Sequence, residues 1–264
     1  MNEDEGTDAN ANGDTDANAN GDTDANANGD TDANANGDTD ANANGDTDAN
    51  GDADVNEADT VDSGDDGQIG GVVLAAGRSR RFGEENKLLA TVDGTPLVVH
   101  AVRTLLSAAL TRVVVVVGHE TNRVEAALDD GLGVDFSVSA DIDVRYNAEY
   151  AAGQSTSVRI GARAADELEW DAAVFALGDM PWVDPETIDQ LCAAYRRGTG
   201  SILAPSIDGQ RGNPVLFGAA HFDALTTVTG DRGGRHLIES HDDAALIPVA
   251  DPGIRRDVDE QADL

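Results

Sequence analysis

Five consecutive valines, residues 113–117, follow Arg112 with no polar alternation between them. A strand without a polar face has to be covered on both sides, as strands are inside a parallel sheet packed between helices. Residues 72–74 (VVL) and 172–177 (AAVFAL) are further short apolar runs, and 144–146 is a shorter strand. Helical patterns fall between them. Residues 96–109 read as a helix with Pro96 in its first turn, 120–128 and 153–165 as two more, and Asp184-Pro185-Glu186 opens a fourth with an N-cap and a proline at the first position. This β-α-β-α rhythm predicts right-handed crossovers and a mainly parallel sheet with helices on both faces. The carboxyl-terminal third is less regular. Strands are expected at 201–204, 215–217, 245–249 and 255–259, with a glycine-rich loop at 230–235 leading into a short helix. This segment is placed to form a lid or substrate pocket over the same sheet edge.

The amino-terminal stretch is of another kind. Residues 1–68 hold 21 of the chain's 51 acidic side chains and none of its 17 basic ones. The octapeptide TDANANGD recurs from Thr7, Thr15, Thr23, Thr31 and Thr39, and TDANGD from Thr47 is a shortened copy. With almost no apolar side chain beyond alanine, such repeats cannot offset the entropy of ordering them. The expected organisation is a disordered acidic arm, 1–68, followed by one α/β domain, 69–264. Residues 16–21 fit the start of a calcium loop, but Ala27 stands where the bidentate glutamate belongs and no helices flank it.

Several classes of function are disfavoured. The chain opens without the basic start and apolar core of a signal peptide, and no later segment is apolar for long enough to cross a bilayer, so a soluble protein is expected. The single cysteine, Cys192, allows no intramolecular disulfide, fits a reducing cytoplasm, and shares a helical pattern with Ile188, Leu191 and Tyr195 that makes it a core residue. A net charge of −34 argues against nucleic acid as partner. The acidic surface, with arginine favoured over lysine, is in the style of salt-loving archaeal proteins.

The chemistry concentrates first in residues 72–87, VVLAAGRSRRFGEENK. A buried strand runs into a basic loop bracketed by Gly77 and Gly83, and glycines let backbone N–H groups approach an anion. Lys87 is the only lysine in the chain. The spacing fits neither the Walker pattern nor the dinucleotide fingerprint, because five residues separate the glycines and Ala75 replaces the first glycine of the latter. Asp179 closes the AAVFAL strand, at the edge where parallel sheets bind ligands, and a carboxylate facing a phosphate cradle suits magnesium; Gly-Asp-x-Pro is equally good turn chemistry. Asp257 and Asp259, two apart on an expected strand, would share a face and offer a second carboxylate. The five histidines show no metal-ligand spacing, and nothing supports a serine or cysteine nucleophile.

LAAGRSRRFGEENK, GDMP, RGNPVLF, GDRGGR and RDVDEQADL, in that order through residues 69–264, resemble the molybdenum cofactor cytidylyltransferases, the MocA-like branch of the MobA-like nucleotidyltransferases. The resemblance implies a Rossmann-like domain in which Leu74, Ala75, Ala76, Gly77, Ser79, Gly83, Lys87, Asn147, Gly153 and Ser157 bind the nucleotide. It implies that Arg81 and Lys87 act on the phosphates, that Asp179 binds Mg²⁺ with Asp257 as second ligand, and that Arg211, Asn213, Asp231 and Arg235 lie near a pterin acceptor. LAAG, with Ala76, and GDMP, with Met180, are closer to the cytidylyl-transferring branch than to the guanylyl-transferring one, whereas EQADL departs from the family's TPEDL. The expected reaction is transfer of CMP from CTP to the terminal phosphate of molybdopterin, with product passing to a molybdoenzyme or its chaperone. The alternatives are another phosphorylated acceptor, guanylyl transfer, or a binding module that transfers nothing.

Overall fold

Strand β1, Ile69–Ala75, is an interior strand of the sheet, and the reason is composition: its backbone passes between two other strands that also lack a polar face. The structure, a computed structural model, describes residues 67–79, 82–83, 85–133, 139–230 and 234–264. The acidic repeats lie outside the described residues. Along the chain follow a short hairpin, β2 (Thr91–Val92) and β3 (Thr95–Pro96), then α1 (Leu97–Ser107), β4 (Val113–Val117), α2 (Thr121–Leu132) and β5 (Ile142–Tyr146). The second half contains α3 (Gln154–Glu167), β6 (Ala172–Leu177), α4 (Pro185–Arg196), β7 (Ile202–Ile207), β8 (Gln210–Arg211), β9 (Val215–Gly218), α5 (Phe222–Thr226), α6 (Arg235–Ser240) and β10 (Ala244–Pro248).

The main sheet has the order β10-β7-β9-β6-β1-β4-β5, with β8 paired to β7. Pairs β6–β1, β1–β4, β4–β5 and β10–β7 are parallel, whereas β9 runs antiparallel to both neighbours. The sheet is therefore mostly parallel, as the alternating pattern predicted. The valine run shows why both faces are covered. Val113, Val115 and Val117 pack into one core with residues of α1, α2 and α4 such as Val102, Leu128 and Leu191; Val114 and Val116 pack into the other with Val158 and Ala162 of α3 and Phe222 of α5. Cys192 is fully buried in the first core, and burial pushes its thiol up to about 11. Among the described residues no helix is long and apolar enough to cross a membrane.

The expected final strand at 255–259 does not form. A 3-10 turn, Pro252–Arg255, leads instead into an extended segment held by other contacts: the Arg256 guanidinium sits 3.9 Å above the Trp182 ring, and Val258 is buried beside Phe82 and Leu97. The Val258 N–H donates to the Asp179 carbonyl at 3.0 Å, so this backbone pairs with a loop rather than with a strand. In this segment Asp257 is exposed, whereas Asp259 is half-buried and reaches Lys87.

Close packing also dictates the glycine at position 70. A Cβ there would clash with the ring of Trp170, well inside van der Waals contact, and that ring is only 3% exposed. Gly70→Ala is therefore expected to destabilise the protein by about 1–3 kcal/mol through overpacking. Urea unfolding checks this, and Trp170→Leu in the Gly70→Ala background should restore part of the loss.

Candidate active site

The site is built where β1 and β6 end side by side. Their register pairs Leu74 with Leu177, and the Gly178 N–H donates to the Leu74 carbonyl at 3.1 Å, so the chain after each strand emerges at the same edge. A Cβ on Gly178 would stand 3.2 Å from that carbonyl oxygen and from Leu88, which explains the small residue before Asp179. After β1 the backbone turns at Ser79, in the left-handed region at φ 53°. The Ser79 hydroxyl accepts from the Lys87 N–H at 3.1 Å and donates to Asn86 Oδ1 at 3.3 Å, and the same Asn86 oxygen caps the 3-10 turn Lys87–Leu89. Ser79 thus fixes the base of the lysine.

Lys87 Nζ reaches Asp179 Oδ2 at 2.5 Å and Asp259 Oδ1 at 2.9 Å. Burial pulls the lysine pKa down, but Asp179 and then Asp259 more than reverse this, leaving it above the ordinary lysine value. Burial lifts the Asp179 carboxyl above the ordinary carboxylate value; Lys87 offsets only part of that, and the nearby charge of Asp257 adds to it. Both partners move upward, the lysine because its two carboxylates outweigh its burial and Asp179 because its burial outweighs the lysine. Its Oδ1 is buried with no hydrogen-bond partner.

The opposite wall comes from β5 and α3. Asn147 is 1% exposed; its amide donates to Thr156 Oγ1 at 2.8 Å and Ser157 Oγ at 2.9 Å, and its oxygen accepts from the Glu149 N–H at 2.9 Å. This ties the end of β5 to the first turn of α3, whose N-cap, Gly153, has φ 114°. Gly118 lacks a Cβ where one would meet both Tyr150 Cβ, at 2.7 Å, and Ala76 Cβ, at 2.8 Å, so these two close together over it. Arg78 lies 5.3 Å from the centroid of the Tyr150 ring, and His119 tilts against that ring at 5.8 Å.

These walls enclose a cavity of about 500 Å³. Leu74, Ala76, Gly77, Ser79, Lys87, Gly153, Ser157 and Asp179, all named from the sequence, line it. Ala75 is buried in the core beneath, Asn147 stands behind Ser157, and Gly83 is not in the lining. Asp257 is exposed and Asp259 takes the place in the wall. Half-buried Arg211 and Asn213 do not line this cavity; the Asn213 N–H donates to the Ile254 carbonyl at 2.8 Å. Arg81 and Asp231 lie outside the described residues, as does the side chain of Arg235. Sequence reasoning placed Arg78 in the basic loop without giving it a role, and missed Tyr150 and Gln154 in the lining. For Tyr150 and Gln154 the available signal was adjacency to Gly153, the residue that opens α3.

A glycine turn, a lysine and an enclosed carboxylate thus meet where two parallel strands end, the edge at which open α/β sheets bind their ligands. The model of the MobA-like NTP transferase domain matches residues 71–245, and the chain belongs to that family. It is 31% identical over 196 residues, 72% of this chain and 90% of the relative, to the purine catabolism protein PucB of Bacillus subtilis. It is also 29% identical to the nicotine blue oxidoreductase of Paenarthrobacter nicotinovorans, over 72% of this chain and 92% of that one. A solved nucleotidyl transferase from Methanothermobacter superposes with a TM-score of 0.61 at 26% identity, covering 74% of this chain and 94% of that chain.

The raised Asp179 pKa has a consequence for stability. Below its ordinary value of 3.8 the carboxyl is protonated in both folded and unfolded protein; as pH rises through the higher folded value, the native state bears the cost of ionising it. The stability of the parent relative to Asp179→Asn, free of metal, should therefore fall as pH rises from 3 to 7, whatever offset the lost contact with Lys87 adds at both pH values. Urea midpoints at the two pH values check this, and a parent that gains on the Asn variant as pH rises would contradict it.

Proposed function

We propose that the protein is a cytidylyltransferase that moves CMP from CTP to the terminal phosphate of molybdopterin and releases pyrophosphate. The observation that carries this reading is the junction of the glycine loop, Lys87 and Asp179 in one cavity, with Asp179 Oδ1 buried and unpartnered. An enclosed carboxylate oxygen without a donor calls for a cation. Asp179 and Asp259 fit Mg²⁺, a hard ion that takes one or two carboxylates together with substrate phosphate oxygens. The exposed Asp257 fits less well, and the second ligand in this proposal is Asp259. Bound there, Mg²⁺ would supply charge neutralisation on the phosphates.

The remaining work falls to the chain's own residues. Gly77 leaves open space above the loop, so the backbone can approach the triphosphate closely. Lys87 offers its ammonium to the phosphate oxygens and to departing pyrophosphate. Ala76 and Tyr150, drawn together over Gly118, form a tight floor beside which the base lies. An oxygen of the acceptor phosphate attacks the α-phosphorus, and the bond from that phosphorus to the α–β bridging oxygen breaks. The attacking oxygen is already anionic near neutral pH, so no general base is required and positioning does most of the work. The preference for CTP rests on Ala76, which lines the cavity. Met180, 3% exposed, borders a small apolar void beside Pro214 and acts only by shaping the strand end.

Incubation with each α-labelled nucleoside triphosphate, Mg²⁺ and molybdopterin should transfer label from CTP. Transfer from GTP alone would overturn the cytidylyl assignment, and transfer to a different phosphorylated acceptor would overturn the pterin. Lys87→Ala should lower the rate by about a hundredfold or more, the usual cost of removing one preorganised donor. Undiminished pyrophosphate release in that variant would contradict the role given to the lysine.

A further inference from the structure

The Lys87 ammonium is bound by the same two carboxylates that the proposed reading assigns to the divalent cation, through Asp179 Oδ2 at 2.5 Å and Asp259 Oδ1 at 2.9 Å, so that a cation reaching both residues through Asp179 Oδ1 would stand beside it. An ammonium and a metal ion cannot both sit between those carboxylates, because like charges a few ångströms apart in an enclosed site repel strongly. We propose that Lys87 is a resident stand-in for the metal: it neutralises Asp179 and Asp259 in the ligand-free protein, and the divalent cation takes that place only when a triphosphate draws the lysine away. This inference rests on Asp179 and Asp259 as the metal-holding pair and adds how their occupancy is controlled.

The surroundings of the lysine make the exchange feasible. Its backbone is fixed, since the Lys87 N–H is held by Ser79 and the turn it opens is capped by Asn86. Its side chain is a flexible four-carbon stem carrying a point charge, so the ammonium can move while the turn stays in place. Lys87 and Asp179 are only 15% and 16% exposed, so neither charge is left to water when its partner departs. The ammonium faces the same cavity as Gly77 and Ser79, and a triphosphate resting on that loop competes directly with the carboxylates for it. Each ligand thereby clears the way for the other. Metal and triphosphate bind with positive coupling, which by linkage is equal in both directions.

Manganese binding to the full chain, measured by calorimetry without nucleotide, tests this. Lys87→Gln should bind Mn²⁺ more tightly than the parent, by about tenfold or more, within the roughly 5- to 150-fold span usual for such coupling. Equal or weaker affinity would overturn the inference. Removing the ammonium leaves two carboxylates facing each other, so a second measurement uses the parent protein itself. Lys87 is the only lysine, and selective ¹³C-lysine labelling gives a single side-chain signal. Inorganic triphosphate without metal should move that signal, and no response at saturating triphosphate would overturn the inference. If CMP transfer is intact while either result fails, the exchange alone is wrong. Absence of nucleotidyl transfer from every nucleoside triphosphate would instead bring down the proposed function.

Discussion

The ion pairs of Lys87 join three distant parts of the chain: the loop after β1, the end of β6, and a carboxyl-terminal segment 172 residues further on than the lysine. Several contacts outside the apolar core bring these three together. The parallel register of β1 and β6 ends both strands at one edge, Ser79 and Asn86 fix the lysine's turn, and the Val258 N–H anchors the last segment on the Asp179 carbonyl. Such a cluster is weak support for stability. Enclosing a carboxylate costs more than one shared ammonium returns, which is why Asp179 stays above the ordinary carboxylate range. The stability comes from the two apolar layers, and part of it is given up at the site.

Much of the fold was legible because its information is local. The run AAVFAL has no polar face, and its boundaries coincide with β6; Asp184-Pro185 carries its own capping chemistry, and Asp184 accepts from the Glu186 N–H at 2.9 Å. Turn chemistry that went unread was equally local: Asp93 and Gly94, both at positive φ, form the tight hairpin between β2 and β3. The antiparallel direction of β9 was not legible, since a short apolar run such as Val215–Gly218 has the same composition in either direction.

The site divides along the same line. Residues that reach the cavity through the backbone of their own element, such as Gly77 at the end of β1 and Asp179 at the end of β6, could be read from strand and turn signals. Residues whose place depends on tertiary contacts could not. Alternation along 255–259 offered Asp257 and Asp259 alike, but in the segment held by buried Val258 and by Arg256 on Trp182 it is Asp259 that reaches Lys87 and lines the cavity, while Asp257 is exposed. Asn147 was read as touching ligand, whereas burial makes it a brace that holds Ser157 in the wall. Tyr150 belongs to the cavity because of the missing Cβ at Gly118, a residue on a different strand end.

The central claim is that the carboxylates in contact with Lys87 are the reacting centre and that their exposed neighbour is not. The most direct measurement is CMP transfer from labelled CTP by Asp179→Asn, Asp259→Asn and Asp257→Asn under identical conditions. Losses of about a hundredfold or more are expected for the first two, comparable to deleting one preorganised electrostatic contact, with Asp257→Asn remaining within a few-fold of the parent. Loss of transfer in Asp257→Asn with activity kept in Asp259→Asn would contradict the account.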